Sequence, residues 1–426
     1  MHKRVFLILF TLVLILAIPC AGFADTEQVA AGAASKIPAP EISAPSAILV
    51  EAETGQVLYY KDSDEFLHIS SACKLMTILV AIENADLYSN VTISADTSKV
   101  EGSALNLEVG AKYPLLDLLY ATMLTSANDA AIAIAEHVSS GNIEKFIDKM
   151  NEMAEKLHMT KTHFSNATGL YDINQYTTAG DISLLIKYAM KNPTFSKLFS
   201  SRSRPWYGTS NEIKILTSGN QLFWSYNGIE GGKTGYNDKS RQTIICTAVR
   251  TNIQLICVVL DAPEETVYND ASVLFDYGFT NFWKSTLVKK GDVLKMAEFD
   301  GKPINLISQS DIMYMHPIGE NYIKEFIANA NLTPPLKTSI PAGSASYVLE
   351  DGTEVGISLY PETEIVPPDD TWTAIRKKIA ENRDIFMVVI VLIAIEVILL
   401  LFNLGRLLGK LFSFVMKRIK QQREIE

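Results

Sequence analysis

The run Ile69-Ser70-Ser71-Ala72-Cys73-Lys74-Leu75-Met76 places a hydroxyl and an amine three residues apart. At the start of a helix, Ser71 and Lys74 would share one face about a turn apart. The amine can then accept the serine proton, provided burial or a neighbouring cation lowers its pKa. The positive end of the helix dipole also favours negative charge developing near Ser71. Such a pair is a nucleophile with its base. A Ser-x-x-Lys alone is weak, because one is expected about once by chance in a chain of this length.

Two further patterns bear on the same chemistry. Lys233-Thr234-Gly235 follows Gly231-Gly232 and precedes a strand-like run. An ammonium beside a hydroxyl among small residues suits a carboxylate docking at a sheet edge, and glycine there lets a ligand approach the backbone. An isolated match reads better as a solvated turn. Ser126-Ala127-Asn128 interrupts an apolar helical stretch, where a loop would project a hydroxyl and an amide into a cleft. A helix N-cap is the bland alternative. Ser218-Gly219-Asn220 and Ser225-Tyr226-Asn227 repeat the pattern, so the residues alone leave three positions in competition. The six histidines (His2, His68, His137, His158, His163, His316) include none in a Gly-x-Ser-x-Gly setting, and neither His-Glu-x-x-His nor Cys-x-x-Cys occurs. A Ser-His-Asp hydrolase and a zinc site are therefore unsupported.

The elements that must position these residues follow from pattern. Short apolar runs at 47–50 and 56–60, separated by Glu53-Thr54-Gly55, read as a hairpin. Helical periodicity is expected over 74–84, over 113–138 with its break at 125–128, over 143–157 and over 181–190, ending before Pro193. Beyond residue 212 the texture turns to strands at 243–249 and 253–260, then a helix at 265–276. If Thr251-Asn252 is a two-residue turn, Cys246 and Cys257 face each other, as two small buried hydrophobes or as a bonded pair. Turn-punctuated strands occupy about 285–366. Strands flanking a helical block, followed by a β-rich module, make an α/β domain plus a small all-β domain.

The 426 residues carry a net charge of −10, and no basic stripe with interleaved aromatics is visible. Nucleic acid is excluded as a partner on that ground. A charged start, an apolar run at 5–18 and small residues before a cut after Ala24 make a secretory signal peptide. Cys20 raises the question of a lipoprotein, but Pro19 suits that processing poorly. Residues 385–402 carry one charge, Glu396, and are long enough to span a membrane. Leu407, Leu408, Leu411, Val415 and Ile419 then recur at helical spacing opposite Arg406, Lys410, Ser413, Lys417 and Lys420. That pattern predicts a basic amphipathic helix lying on an anionic leaflet and forming an L with the span.

Taken in order, Ser-x-x-Lys, Ser-x-Asn and Lys-Thr-Gly are far stronger together than singly. With Ala47–Gly55, Asn166-Ala167-Thr168-Gly169-Leu170, Tyr176-Thr177-Thr178-Ala179 and the run from Trp224 to Gly235, the chain resembles the D-alanyl-D-alanine carboxypeptidases, the low-molecular-mass penicillin-binding proteins. The likeness runs from Ser46 to about Ile365. Its spacing selects Ser126 and Asn128 over the competing positions. Two departures are Ala127 in place of the usual glycine and Cys73 in place of threonine or leucine; neither removes a reacting group.

The resemblance implies a penicillin-binding-protein/β-lactamase-like fold and a set of roles. Ser71 attacks the D-Ala-D-Ala carbonyl of a peptidoglycan stem peptide, and Lys74 takes its proton. Ser126 and Asn128 relay protons and hold the amide. Lys233 and Thr234, next to Gly235, bind the terminal carboxylate. Backbone N–H groups of Ser71 and Tyr236 form the oxyanion hole. No metal or organic cofactor is implied, and β-lactams are expected to acylate the enzyme. A class A β-lactamase needs a further deacylating glutamate, for which 126–233 offers no loop. A D,D-endopeptidase would use the same residues, and a β-lactam sensor would need more than the 22 residues after Leu404. The expected layout is a signal peptide at 1–24, a linker at 25–45, a catalytic domain at 46–284, a β-rich domain at 285–366, a linker at 367–384, a transmembrane helix at 385–404 and a cytoplasmic tail at 405–426. The catalytic domain would then lie outside the cell membrane.

Overall fold

The structure is a computed structural model that describes residues 37–209, 213–239, 241–333, 335–365 and 371–423. The expected signal peptide and the first part of the linker lie outside these residues.

The described chain opens on β1 (Ser46–Glu51) and β2 (Val57–Lys61). Every residue of β1 is buried, as a strand covered on both faces requires. A helical block follows: α1 (Cys73–Asn84), a small ladder of β3 (Asn90–Thr92) with β4 (Lys112–Pro114), α2 (Leu115–Thr125), α3 (Asn128–Val138), α4 (Ile143–Lys156), α5 (Ala179–Ala189) and α6 (Pro193–Phe199). α4 buries Phe146, Met150, Met153 and Ala154 along one stripe. Its N-terminus is capped by the Asn142 side chain, which accepts from Lys145 N. Thr178 caps α5 in the same way through Asp181 N.

Pro193 does more than stop a helix. It opens α6, with Asn192 accepting from Thr194 N and Phe195 N. The first helical position loses nothing by lacking an N–H, so the proline is tolerated there. The hairpin β5 (Ser203–Tyr207) with β6 (Ile213–Thr217) was not foreseen, because apolar Tyr207, Ile213 and Ile215 stand on its exposed face and blur the alternation.

Then come α7 (Leu222–Ser225), β7 (Ile229–Asn237), β8 (Arg241–Arg250), β9 (Ile253–Ala262) and α8 (Val267–Asn281). Five antiparallel strands form one sheet in the order β2-β1-β9-β8-β7, which leaves β7 at an edge. Successive residues point to opposite faces. Ile48, Val50, Ile245, Ile256 and Val258 join the core under the helical block. Ala47, Leu49, Ile244, Val259, Cys246 and Cys257 join the core under α8. Cys246 and Cys257 are direct partners across β8 and β9, as the turn at Thr251 suggested, and both are free buried thiols.

The β-rich module comprises β10 (Phe282–Val288), β11 (Val293–Phe299), β12 (Lys302–Ile307), β13 (Ile312–Pro317), β14 (Ile323–Ala330), β15 (Gly343–Leu349) and β16 (Glu354–Pro361). Five of these strands form a sheet in the order β11-β12-β16-β15-β14, over a small core of Leu306, Leu336, Ala345, Ile357 and Leu359. β10 and β13 pair separately and carry Phe282 and Met315 into the core under α8. Two polar contacts lock this junction. Lys284 Nζ donates to buried Glu51 at 2.8 Å and also reaches Glu53. The Gln56 amide exchanges hydrogen bonds with the Met315 backbone at 2.9 and 2.8 Å.

Last come α9 (Thr371–Glu381) and α10 (Arg383–Arg423). A 30-residue part of α10, Arg383–Phe412, is apolar enough to cross a membrane; its most apolar 18-residue window has mean hydropathy 3.3, and none of that window is buried in protein. The expected bend between span and tail is absent. α10 continues as one helix past Leu404, because Gly405 and Gly409 weaken a helix without breaking it and no proline intervenes.

Candidate active site

Ser71 lies in the turn just ahead of α1, where Cys73 N donates to Ser70 O and Lys74 N to Ser71 O. These bonds continue the helical winding backwards, so Ser71 and Lys74 stand one turn apart as the spacing required. Lys74 is 1% exposed and its ammonium donates to the Thr168 carbonyl. Burial lowers its pKa to about 8.

Two strips of backbone press on this turn. Gly169 sits at φ +78°, and a Cβ there would run into the Ser70 carbonyl. Gly235 of β7 faces the turn from the other side, and its Cβ would meet Ser70 Oγ and come within 3.1 Å of Ser71 N. Only glycine allows both approaches. The 166–170 loop is held from below. Asn166 Oδ1 accepts from the backbone N–H of Thr168 and Gly169, and Thr77 Oγ1 donates to Ala167 O at 2.7 Å.

Lys233 is 3% exposed on β7, and its ammonium donates to Ser126 Oγ and to Thr234 O. Burial, and then the charge of Lys74, lower its pKa to about 7. Ser126 ends α2 in the left-handed region at φ +56°, a conformation that costs a non-glycine residue energy and turns its hydroxyl toward β7. Asn128 opens α3. Its amide donates to Glu101 O at 2.6 Å, and its backbone N–H donates to Ser103 O at 2.7 Å. Neither Ser126 nor Asn128 caps a helix with its side chain.

Ser71, Ser126, Asn128 and Tyr236 line one cleft of about 420 Å³. Lys74, Lys233 and Gly235 are buried beneath it, and Thr234 is partly exposed beside them. Seven of the eight residues singled out from three separate stretches thus converge; Thr234 lies between two of them on β7 with its hydroxyl toward Gly219. The Lys-Thr-Gly stretch precedes a strand, β8, as expected, and itself lies within β7, the edge strand. Of the rival Ser-x-Asn positions, Ser218 and Asn220 lie behind β7: Gly219 packs on Thr234 and Asn220 on Gly232. Ser225 is exposed on α7.

Sequence reasoning gave no place to the Thr168 carbonyl that holds Lys74, to Ser70, or to the backbone of Glu101 and Ser103 that fixes Asn128. A main-chain partner leaves no residue-type signal. What the set can do is acyl transfer: a hydroxyl at a helix start, a dry amine one turn on, and a second cation with a hydroxyl where a carboxylate would dock.

Residues 33–264, more than half of the chain, match the family model described as D-alanyl-D-alanine carboxypeptidase. The chain is 29% identical over 314 residues to D-alanyl-D-alanine carboxypeptidase DacF of Bacillus subtilis, covering 71% of this chain and 80% of that protein. It is 30% identical over 272 residues to the D-alanyl-D-alanine endopeptidase of Escherichia coli, covering 62% and 86%. Among solved structures, penicillin binding protein 5 of Haemophilus influenzae superposes with a TM-score of 0.68 at 23% identity, over 78% of this chain and 99% of that one.

Proposed function

This chain belongs to the D-alanyl-D-alanine carboxypeptidase family of serine peptidases, and on that premise we propose that Ser71 is acylated by the terminal D-Ala-D-Ala of a peptidoglycan stem peptide, releasing D-alanine. The observation that carries the assignment is the convergence of the Ser71–Lys74 turn, Ser126 and Lys233 at one cleft, with Gly235 against the turn. The neutral Lys74 amine takes the Ser71 proton. Lys233 and Thr234 hold the terminal carboxylate, while Asn128 and Ser126 orient the amide and return a proton to the leaving amine. The N–H groups of Ser71 and Tyr236 receive the oxyanion. Water completes the cycle. β-Lactams acylate the same serine.

Incubating the protein with purified muropeptides and weighing the products tests the reaction. Loss of one alanine per pentapeptide is the expected outcome. Conversion of cross-linked dimers to monomers would instead place the chain with its endopeptidase relative.

The two buried ammonium groups repel each other, so the pair loses protons in two coupled steps near 7 and 8. A docked carboxylate favours the charge on Lys233, which drives the neutral state onto Lys74. For a substrate with a free carboxylate, kcat/KM should rise as pH passes about 7 and fall again above about 8, when the last cation is lost. A C-terminally amidated substrate should be poor and should lack the alkaline fall. An alkaline fall of equal size for both would remove Lys233 from carboxylate recognition.

We further propose the layout of an exported catalytic domain, a β-rich module and a single span within α10, leaving the C-terminus in the cytoplasm. The apolar Arg383–Phe412 stretch supports this. In cells stripped of wall, a tag at the C-terminus should resist added protease while the catalytic domain is digested. Equal digestion of both would show that α10 never crosses.

A further inference from the structure

Two polar side chains interrupt the apolar surface of α10. Glu396 and Asn403 lie seven residues apart on a helix that runs unbroken from Arg383 to Arg423. Seven residues advance about 10.5 Å and bring the helix to within about 20° of two full turns. The two side chains therefore stand in one line along α10. Ile393, Leu400 and Leu407 alternate with them on the same side, also seven apart, and all five residues are exposed. Read as a heptad, the aliphatic residues take one core position and the polar residues the other. Neither Glu396 nor Asn403 has a hydrogen-bond or ion-pair partner among the described residues.

The inference rests on the spanning reading of α10. A span at 385–404 puts Glu396 about 2 Å from the bilayer midplane and Asn403 about 13 Å from it, on the cytoplasmic side. Both depths lie inside a hydrocarbon core about 30 Å thick. A carboxyl and a primary amide are costly there until another polar group meets them. Every copy of the chain enters the membrane in the same direction, so a second copy brings the same two groups to the same depths. A primary amide both donates and accepts, and so do two carboxyls that share a proton. The line is thus its own complement, as an isologous two-fold contact requires. Leucine and isoleucine gain little over lipid tails by pairing, so the polar positions set the register. We propose that α10 pairs in parallel with α10 of a second copy of this chain, along the line of Ile393, Glu396, Leu400, Asn403 and Leu407. The exported domains then stand in pairs above the membrane. A rival face exists: Gly405 and Gly409, four apart, lie on the far side of the helix from Glu396 and could seat a close pair of their own.

The test uses the full-length protein, labelled at a C-terminal tag with a donor or an acceptor dye and reconstituted together in vesicles of phosphatidylcholine and phosphatidylglycerol. Energy transfer is followed as the protein-to-lipid ratio rises. The wild type should transfer above the level of chance encounters and saturate. Glu396→Leu and Asn403→Leu should each weaken pairing about 3- to 30-fold, the scale of one hydrogen bond between helices in lipid. Gly405→Leu should leave pairing unchanged, because it alters the far side. D-Alanine release per chain should be the same in all three variants, which shows that the exported domain is folded. Chance-level transfer in the wild type means that the line meets lipid or another protein, and overturns the proposal. Pairing that survives the Glu396→Leu, Asn403→Leu double variant, or that is lost only in Gly405→Leu, also overturns it. Protease protection of the tag in cells reports the span by itself. A tag digested with the domain ends the spanning reading, and the pairing falls with it; a protected tag with chance-level transfer ends the pairing alone.

Discussion

Ser71→Ala is expected to abolish labelling by a fluorescent penicillin and to cut D-alanine release by about 10⁴-fold or more, the scale on which removal of a nucleophile acts. Ser70→Ala should keep the label. The two neighbours differ in ways that the chain order hides. Ser70 is 1% exposed, its hydroxyl has no hydrogen-bond partner among the described residues, and it sits under Gly235. Ser71 lines the cleft. Removing Ser70 Oγ breaks no bond, so that variant separates disturbance of the turn from loss of the reacting oxygen. Peptide mapping of the labelled protein decides between them, and a label retained by Ser71→Ala would end the assignment.

Lys74→Met is expected to be equally inactive and yet more stable near neutral pH. The folded pKa of about 8 lies below the ordinary lysine value of 10.5, so the native state holds its proton less tightly than the unfolded chain. The cost of burying the charge is therefore fully present below pH 8. It shrinks as pH rises through the folded value and is gone above the unfolded one. Methionine fills similar space without the charge, although it leaves the Thr168 carbonyl without its donor. The net gain at pH 7 should be about 1–3 kcal/mol, seen as a higher Tm, and should fade between pH 8 and 10.5. A lower Tm for Lys74→Met at pH 7 would mean that the lysine is held for stability and not despite its cost.

The chemistry of the site was more legible than its support. Ser71 and Lys74 were readable because helical winding makes a three-residue spacing a spatial statement. Ser126 was not separable from Ser218 or Ser225 by residue type alone. Only the spacing implied by the family resemblance selected it, and the contact with Lys233 arises from a left-handed turn that no residue type announces. The hairpin β5–β6 stayed hidden because its buried face holds only Trp206 and Leu216. β7 was missed for a related reason: Gly231, Gly232 and Gly235 strip it of the side chains that mark a strand. Those glycines lie close to Phe199, Asn220 and the nucleophile turn, so the weak strand signal is itself a trace of the site.

The contact between Lys284 and Glu51 has a consequence for how the molecule comes apart. Glu51 is fully buried, and its second oxygen already accepts from Glu53 N, Thr54 N and Thr54 Oγ1. Its only cationic neighbour among the described residues comes from β10. A fragment cut before Trp283 would keep that carboxylate in the dry interior with its counter-charge gone, a loss of about 3–5 kcal/mol. It would also lose Met315 from the core under α8. Heating should therefore melt the peptidase and the neighbouring β10–β13 pair in one calorimetric event. The segment after α8 then belongs to the folding unit that makes the enzyme, and the boundary of that unit falls farther along the chain than the end of the last helix suggests.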